Sequence, residues 1–549
     1  MGNIVKAGPG DPEWHKIVKV FEDPKVEKIA HGAKYEIKQS RHLGIKPAGR
    51  FHDTMALAIL VDEYQKINLD ALSQKYLQDN SKGIVQAWLK ANTARIRRET
   101  GREPNYKDVP PELLKTYLDG DLDKTMRLSW LWKSVEQEFP DLYRMETELA
   151  WDAAEMEDLG IRIDMPFVQR EIRRLVPEQR LLERRMFDMV GATFNPASRF
   201  ELGDALLAQG LDTGVRNKDE SMKTDFKTLE QMDPHPFMDV LIRWRGIQKI
   251  VGTYLVPFTQ MAVGDTVHGS LWQYGQDEGI VTGRWSSSDP NLQNVPGGGR
   301  STNKVLLELG PIVRRAIIAP PGHALVMFDY EKQEMVIFTC YANDHRAMKD
   351  LENGVDPYIA QGKLLYGPNT FNGLAGEEYK RKRFNAKELC LSLIYGMGLK
   401  SMARRLKVPL GEARNLRNSY FAASPATREF MTSTIRDLLV NGHVEDAFGR
   451  RYHVPQGLAY KAVNAKCQGS GATVTKKGLI RARQLKSLGF RPMMPVHDEL
   501  VGIVPVENLD ECMYEGVRLL RDTESFPIPI EVSASYSLTN WADKKECKP

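Results

Sequence analysis

Two aspartates at the ends of apolar segments are candidate metal ligands. Asp329 directly follows the apolar run 324–328, which predicts a buried strand with a carboxylate at its tip. Asp498 lies in the polar triplet 497–499, inside the otherwise apolar segment 493–504, a pattern typical of a hairpin. Either carboxylate alone is more simply a turn residue. If folding joins them, they could hold two Mg²⁺ ions about 3.5–4 Å apart, as in-line phosphoryl transfer requires.

A basic segment could supply the complementary positive charge. A four-residue spacing relates Arg383, Lys387, Leu391 and Tyr395, so on a helix they form one stripe. The cations could bind a triphosphate, and the aromatic ring could lie against a base. The alternative is a solvated basic face, although the apolar run 389–394 indicates that this helix is also partly packed.

Length and composition limit what else the chain can be. Its 549 residues suggest three or four structural units, and 42% hydrophobic with 27% charged residues is typical of globular proteins. A net charge of +4 permits a nucleic-acid partner without requiring one. The sequence contains no run of 18 apolar residues, so no membrane-spanning helix is predicted. The five cysteines are widely spaced, which disfavours a disulfide framework or a zinc module.

The remaining pattern predicts mixed helix and strand over residues 1–90 and mostly helices over residues 145–280. Residues 145–280 read as helical, with one helix ending at Gly160. Another helix is expected to be interrupted by Pro177, and Ser198 with Glu201 predicts a capping box. The polar and basic stretch 90–110 predicts a solvated loop or a short surface helix.

Together these segments resemble the motifs of family A DNA polymerases, the bacterial DNA polymerase I type. The resemblance covers about residues 145–549 and includes, in the family's order, a primer–template signature at 282–296, motif A at 329–334, motif B from Arg383 to Gly396, the segments 448–452 and 464–468, and motif C at 496–501. A lone His-Asp-Glu triplet would be weak evidence, whereas the ordered set is specific.

The resemblance implies a role for each matched residue. Asp329 and Asp498 would be the catalytic metal ligands, with the Tyr330 carbonyl as a further ligand for two Mg²⁺ ions, for which Mn²⁺ can substitute. Arg383 and Lys387 would hold the triphosphate, and Lys387 would also donate a proton to pyrophosphate. The other expected nucleotide contacts are Glu334 (a steric gate against a ribose 2′-hydroxyl), Tyr395 (closing over the new base pair), Leu391 and Gln333. The expected DNA contacts are Arg284, Asn294, Asn464, Gln468 and His497.

Simpler interpretations stay open for several of these residues. They are a surface carboxylate for Glu334, helix caps or core amides for Asn464 and Gln468, a turn histidine for His497, and a turn-stabilising role for Glu499. Leu391 departs from the family, which usually has an aromatic ring there, so altered speed, fidelity or sugar tolerance is expected. Residues 331–333 and Val336 also depart from the usual motif A pattern.

Residues 16–140 resemble, more loosely, the family's 3′–5′ proofreading exonuclease domain. Glu36 stands at the aspartate of its second motif, segment 52–55 resembles a later landmark, and Tyr117 with Asp121 fits the third motif. The first motif, an Asp-x-Glu metal pair, is not found ahead of Glu36. We therefore expect a truncated and inactive exonuclease-like domain, unless the missing strand lies on another chain or was removed.

The expected fold is α+β, a right-hand polymerase with an N-terminal α/β, ribonuclease H-like remnant. The expected units are the exonuclease-like domain at 1–140, the thumb at 145–270, the palm at 271–345 and 430–549, and the fingers at 346–429. The expected function is template-directed DNA synthesis from deoxynucleoside triphosphates on primer–template DNA. The expected protein is a monomer in the cytoplasm of a bacterium or a phage-infected cell, without a membrane partner.

Three other functions are compatible with parts of this pattern. A single-subunit RNA polymerase relative could share the carboxylates and cations, but Glu334 argues against it. A non-catalytic primer–template-binding protein would retain a relic site. A free-standing proofreading nuclease is disfavoured by the missing first motif.

Overall fold

The computed structural model describes residues 12–79, 83–229, 232, 234–275, 281–296, 304–406 and 408–547. It combines helical layers with a mainly antiparallel sheet, so the expected α+β class is confirmed. Within these residues, no helix has both the length and the apolar character needed to cross a bilayer.

The N-terminal unit, residues 12–138, packs helices around one short parallel strand pair. The strands are Lys28–Ala30 and Phe51–Asp53. The helices are Pro12–Glu22, Ala33–His42, Thr54–Val61, Leu69–Leu72, Ile84–Thr100, Pro111–Leu131 and Lys133–Glu138. Of the stretch 90–110, expected to be a loop or short surface helix, residues 90–100 form the C-terminal part of a 17-residue helix and residues 101–110 form a loop with one short 3-10 turn. Val85 and Ile96 are the buried residues of this helix, one near each end. The residues between them are mostly polar and charged, so the sequence shows no clear helical period of apolar residues.

A helical region follows the N-terminal unit. Its helices are Pro140–Leu159, Met165–Val190, Arg199–Ala208, Phe226–Leu229, Pro236–Ile250, Val256–Met261 and Lys304–Ala316. Its strands are Ile161–Arg162, Ala262–Val263 and Thr266–Val267 in one sheet, and Ser270–Trp272 with Ser286–Ser288 in another. Gly160 ends the first helix, as expected. Ser198 accepts from the Glu201 amide, but Glu201 bonds the Asn195 amide instead of completing a capping box.

The expected interruption at Pro177 is wrong, because the helix Met165–Val190 continues through it. A proline inside a helix costs about 3 kcal/mol through its missing N–H and its ring clash. Leu175 and Leu182, on either side of Pro177, are buried in the same apolar cluster. Burying side chains of this size contributes about 1.5–3 kcal/mol each, so tertiary packing outweighs the local penalty.

A five-stranded sheet, the central sheet, organises the C-terminal half of the described chain. Its strand order is Arg491–Val496, Glu499–Pro505, His323–Tyr330, Val532–Ser537 and Lys545–Cys547, with antiparallel neighbours throughout. Alternate residues of the middle strand enter two different cores: Val326 and Phe328 pack on one face, Leu325 and Met327 on the other. The expected strand and hairpin are both present, although Glu499 belongs to the second strand rather than to the turn.

Helices complete this half of the chain. They are Gln333–Ala342, His345–Glu352, Pro357–Tyr366, Gly376–Ile394, Leu399–Leu406, Leu410–Ala423, Pro425–Asn441, Ala462–Ala482 and Leu509–Leu520, and a short strand pair joins Val444–Glu445 to Arg451–Tyr452. The helix Gly376–Ile394, called the cationic helix below, carries the predicted basic stripe. Leu389 and Cys390 on its opposite side are buried in a separate core with Leu365 and Tyr420, which holds the stripe toward the sheet.

Candidate active site

The register of the central sheet brings the two candidate aspartates together. Asp329 pairs directly with Glu499, and the amide of Tyr330 donates to the carbonyl of Asp498 at 3.1 Å. His497 has a left-handed φ of 57°, which allows the tight turn that presents Asp498 beside the middle strand. Residues paired across antiparallel strands lie about 4.5–5.5 Å apart, so both aspartates belong to one small site.

Both aspartates face the cationic helix across an open cleft of about 600 Å³. The residues that line this cleft include Asp329, Tyr330, Lys332, Gln333, Glu334, Tyr358, Arg383, Lys387, Leu391 and Asp498. Two carboxylates thus lie on one wall and two cations of the predicted stripe on the other. This is the charge arrangement that a metal–triphosphate complex requires.

A neighbouring helix holds the two cations in place. Arg383 Nε donates to Asp356 Oδ2 at 2.7 Å. The buried ring of Tyr358 lies between the cations, with its centroid 5.3 Å from the Arg383 guanidinium and 5.1 Å from Lys387 Nζ. Burial raises the pKa of Tyr358, so the ring stays neutral. Sequence reasoning missed Asp356 and Tyr358, because Asp-Pro followed by a helix signals only a helix start.

Three predicted residues meet at Glu334. Its Oε2 accepts from the Tyr395 hydroxyl at 2.5 Å, and its Oε1 accepts from Arg284 Nη2 at 2.6 Å. Burial and the adjacent Glu334 carboxylate raise the pKa of Tyr395, so its hydroxyl remains a donor. Tyr395 directly follows the cationic helix, with its amide donating to the Leu391 carbonyl at 3.0 Å. At the next residue, Gly396, a side chain would approach the Tyr460 carbonyl to 3.0 Å.

Gln293 connects the His497 turn to the predicted DNA-binding segment. Its Oε1 accepts from the His497 amide at 3.2 Å, and its Nε2 donates to the Pro495 carbonyl. Burial and the positive charge of Arg284 lower the pKa of His497. The neighbouring Asn294 is exposed. The sequence interpretation chose Asn294 and missed the buried Gln293, because only the fold shows which of the two amides faces the hairpin.

Two predicted DNA contacts lie one turn apart on the helix Ala462–Ala482. Asn464 and Gln468 are both half-buried, and Asn464 Oδ1 is buried with no hydrogen-bond partner among the described residues. An unpaired buried acceptor is costly, so a donor supplied by a bound molecule would stabilise this position.

Gln333 is placed differently from the predicted nucleotide contact. Although it borders the cleft, its side chain is buried and its Nε2 donates to Thr475 Oγ1 at 3.3 Å. It lies against Gly471, where a Cβ would come within 2.7 Å of its amide oxygen. The amide therefore has a packing role between two helices.

Tyr330 could contribute only its main chain to a metal site. Its ring is 1% exposed, and its hydroxyl donates to the Leu520 carbonyl at 3.1 Å on the far side of the sheet. Glu499, opposite Asp329, is paired with Lys544 Nζ at 2.9 Å. Sequence reasoning missed Lys544, which is distant in the chain and reaches the site only through the edge strand Lys545–Cys547.

The donor chemistry of the cleft fits magnesium. Asp329, Asp498 and the Tyr330 carbonyl offer hard oxygen atoms, which Mg²⁺ prefers, and an open cleft leaves room for water and phosphate oxygens. The neighbouring carboxylate of Glu499 is paired with Lys544 Nζ at 2.9 Å.

Comparison with known proteins decides the family. A model described as DNA polymerase family A matches residues 167–543. The chain belongs to DNA polymerase family A. The membership expected from the ordered motifs is thereby confirmed, and a second model, described as 3′–5′ exonuclease, matches residues 4–129 of this family A chain.

The relatives include several proteins named DNA polymerase I. That of Chloroflexus aurantiacus is 27% identical over 95% of this chain and 55% of its own length. That of Pseudomonas aeruginosa is 28% identical over 95% and 57%, and the thermostable one of Thermus aquaticus is 28% identical over 79% and 51%. The family A chain thus spans about half the length of these relatives.

A solved structure supports the fold. The structure titled POL domain of Pol1 from M. smegmatis, in complex with DNA primer-template and dNTP, has a TM-score of 0.79 and 22% identity, and covers 97% of this chain and 89% of that one. The right-hand polymerase fold expected from the motifs is confirmed.

Proposed function

We propose that this family A chain is a template-directed DNA polymerase that extends a primer with deoxynucleoside triphosphates by two-metal-ion phosphoryl transfer. The observation that carries the proposal is the adjacency of Asp329 and Asp498 across the cleft from Arg383 and Lys387. Carboxylates without cations would leave a triphosphate unbound, and cations without carboxylates would leave the reaction without its metal ligands.

The proposed mechanism assigns each side of the cleft one task. Asp329, Asp498 and the Tyr330 carbonyl would hold two Mg²⁺ ions. When bound, these supply activation of the primer 3′-hydroxyl and charge stabilisation at the leaving pyrophosphate. Arg383 would orient the triphosphate while braced by Asp356. Lys387 would bind the same phosphates and pass a proton to pyrophosphate.

The remaining predicted residues would select substrates. Glu334 would exclude a ribose 2′-hydroxyl, and Tyr395 would close over the new base pair beside Leu391. Arg284, Asn294, Asn464, Gln468 and His497 would position primer and template. The partners would be primer–template DNA and deoxynucleotides, and the protein would act as a monomer.

The proposed subdivision follows the right-hand fold. We assign 1–140 to the exonuclease-like domain, 145–270 to the thumb, 271–345 and 430–549 to the palm and 346–429 to the fingers. The separate core around Leu389 and Tyr420 supports fingers that move as one body. Because the relatives are bacterial, we place the activity in the cytoplasm of a bacterium, and a phage origin stays a prediction.

The test is primer extension with Asp329→Asn and Asp498→Asn, which keep side-chain size while removing the charge. We expect each to lower the single-turnover rate by roughly 10³-fold, since a bound metal supplies several kcal/mol of transition-state stabilisation. Duplex binding, measured by fluorescence anisotropy, should persist. The matched control is Glu507→Gln. Glu507 is an exposed carboxylate just beyond the end of the strand Glu499–Pro505 that is farther from Asp498, and its variant should keep the parent rate.

Two outcomes would refute the assignment. Full activity in either aspartate variant would show that these carboxylates do not hold the ions. Duplex binding by the parent chain, with no product in Mg²⁺ or Mn²⁺, would show a non-catalytic primer–template-binding protein instead.

A further inference from the structure

A second cluster of metal-ligating side chains lies outside the cleft. Asp62 and Glu63 follow the helix Thr54–Val61 of the N-terminal unit, and His453 follows the strand Arg451–Tyr452. One donor atom of each of the three lies within 4.8 Å of the other two. The cluster therefore joins the N-terminal unit to the polymerase part of the chain, and none of its members lines the cleft.

Glu63 and His453 already have the spacing of two ligands of one ion. Glu63 Oε2 lies 3.1 Å from His453 Nδ1, and Glu63 Oε1 accepts from the His453 amide at 2.5 Å. The Glu63 side chain is 5% exposed, so its carboxylate is fixed from two directions. Ligands bonded to tetrahedral Zn²⁺ at about 2.0–2.1 Å are about 3.3 Å apart. An ion could thus replace the proton between these two atoms with little movement.

Asp62 is the third candidate ligand. Its present partner, Lys75, also bonds Gln65 and would keep that bond if Asp62 bound an ion. Asp62 Oδ1 accepts from the Tyr64 amide at 2.9 Å, which fixes the carboxylate, and Lys75 Nζ lies 3.2 Å from Asp62 Oδ2. Lys75 also donates to Gln65 Oε1 at 2.9 Å. A divalent ion would therefore meet two carboxylates and one imidazole, while the ammonium group keeps its amide partner.

A second histidine stands beside the cluster. The ring centroid of His443 is 5.7 Å from that of His453, and its Nδ1 is 3.1 Å from the Asn441 carbonyl. A histidine held by a carbonyl oxygen at one ring nitrogen presents the other to a metal in a fixed tautomer. His443 lies outside the three donors that are within 4.8 Å of one another, so a water molecule would be the fourth ligand unless the His443 ring turns toward the ion.

We propose that Asp62, Glu63 and His453 bind one divalent transition-metal ion of the zinc class, which ties the N-terminal unit to the polymerase part. An imidazole with two carboxylates suits Zn²⁺, whereas Mg²⁺ prefers oxygen ligands and octahedral geometry. The site is thus chemically distinct from the carboxylates of the cleft, and it does not depend on the proposed polymerase activity.

The test measures zinc bound to the full chain in excess Mg²⁺. The chain carrying Asp329→Asn and Asp498→Asn, stripped with chelator, would be dialysed against micromolar Zn²⁺. We expect one Zn²⁺ per chain and a higher thermal unfolding temperature, because a ligand that binds only the folded state stabilises it. Co²⁺ in place of Zn²⁺ should give the visible absorption of a four-coordinate ion.

Variants of the cluster identify the ligands. Glu63→Gln and His453→Gln should each weaken Zn²⁺ binding at least tenfold and remove the zinc-dependent rise in unfolding temperature. His345→Gln, an exposed histidine elsewhere, should change neither. Circular dichroism in chelator reports whether each variant folds. Absence of stoichiometric Zn²⁺ on the chain carrying Asp329→Asn and Asp498→Asn, or equal Zn²⁺ affinity after Glu63→Gln or His453→Gln is added to it, would overturn the proposal and leave only an ion pair between the N-terminal unit and the polymerase part.

Discussion

Glu334 is the residue at which the proposed substrate selection can be tested most directly. Its carboxylate is held by Tyr395 and Arg284, so it is fixed before a nucleotide binds. We expect Glu334→Ala to raise ribonucleotide incorporation, relative to deoxynucleotide incorporation, by about 10- to 100-fold, equivalent to about 1.4–2.8 kcal/mol. The measurement is the ratio of kcat/KM for matched ribo- and deoxynucleoside triphosphates.

Tyr395→Phe is the matched control for the gate, because it removes the hydroxyl bond but keeps the glutamate side chain. It should retain most of the discrimination while changing KM. If Glu334→Ala leaves the ratio unchanged, the gate lies elsewhere, and the glutamate serves only to hold Tyr395 and Arg284.

Lys544 is expected to set the electrostatic potential at the aspartates. It pairs with Glu499 at 2.9 Å, directly opposite Asp329. Lys544→Met removes one positive charge and frees Glu499, so Mg²⁺ should bind more tightly. A partly exposed pair of this kind contributes about 0.2–1 kcal/mol, which predicts an up to about fivefold lower Mg²⁺ concentration at half-maximal extension. Lys545→Met, exposed on the edge strand, should not shift it, and a raised requirement in Lys544→Met would contradict this role.

The sequence singled out the residues proposed to do the chemistry more readily than the residues that contact and hold them. Asp329, Asp498 and the cationic stripe stood out because their types and spacing follow strand and helix periods. Asp356, Tyr358, Gln293 and Lys544 act through contacts between segments far apart in the chain, and no local pattern records such contacts. Gln333 stays a predicted nucleotide contact; it borders the cleft, while its amide nitrogen donates to Thr475 Oγ1 at 3.3 Å.

At the scale of elements, strong local periodicity predicted the right structure and weak periodicity did not. The strand before Asp329, the hairpin around Asp498 and the cationic helix were all expected. The helix break predicted at Pro177 does not occur, because the burial of Leu175 and Leu182 offsets the helix-breaking cost of the proline. The helix Ile84–Thr100 was underestimated because it is mostly solvent-exposed and has few buried positions to mark its period.

A buried charge network joins two long helices and gives a pH-dependent prediction. Glu146, on the helix Pro140–Leu159, accepts from Lys476 Nζ at 2.5 Å and from Arg450, and all three side chains are at most 4% exposed. Burial lowers the pKa of Lys476 from 10.5 to about 8. Between these values the unfolded chain binds more protons than the folded chain, so the contribution of this lysine to the free energy of unfolding rises with pH.

We therefore expect the parent chain to gain stability, relative to Lys476→Met, when the pH is raised from 7.5 to 9.5. Urea unfolding of both proteins at the two pH values measures the change. A parent-minus-variant difference that stays constant or falls would contradict the lowered pKa. Lys477→Met, on the same helix but half-buried, is the control and should follow the parent.

At the scale of the whole molecule, the N-terminal unit matches an exonuclease model but places a lysine beside Asp121, the carboxylate that resembles the family's third exonuclease motif. Asp121 Oδ1 and Asp70 Oδ1 lie 3.7 and 4.0 Å from Lys124 Nζ, and the Lys124 side chain is 5% exposed. Burial also raises the pKa of Asp121. The Lys124 ammonium group lies beside Asp121 and Asp70 and neutralises part of their charge, which disfavours a divalent ion there.

We consequently expect synthesis without proofreading from this chain. With Mg²⁺ and no nucleotide, a 5′-labelled single strand and a primer with a mismatched 3′ end should both keep their length, because a two-metal nuclease needs ionised carboxylates free to bind its ions. The comparison protein is Asp121→Asn, which removes the carboxylate that would hold an ion. Shortening seen equally in both proteins would come from a contaminant. Shortening by the parent that disappears in Asp121→Asn would show a working nuclease and would mean that Lys124 moves away when DNA binds.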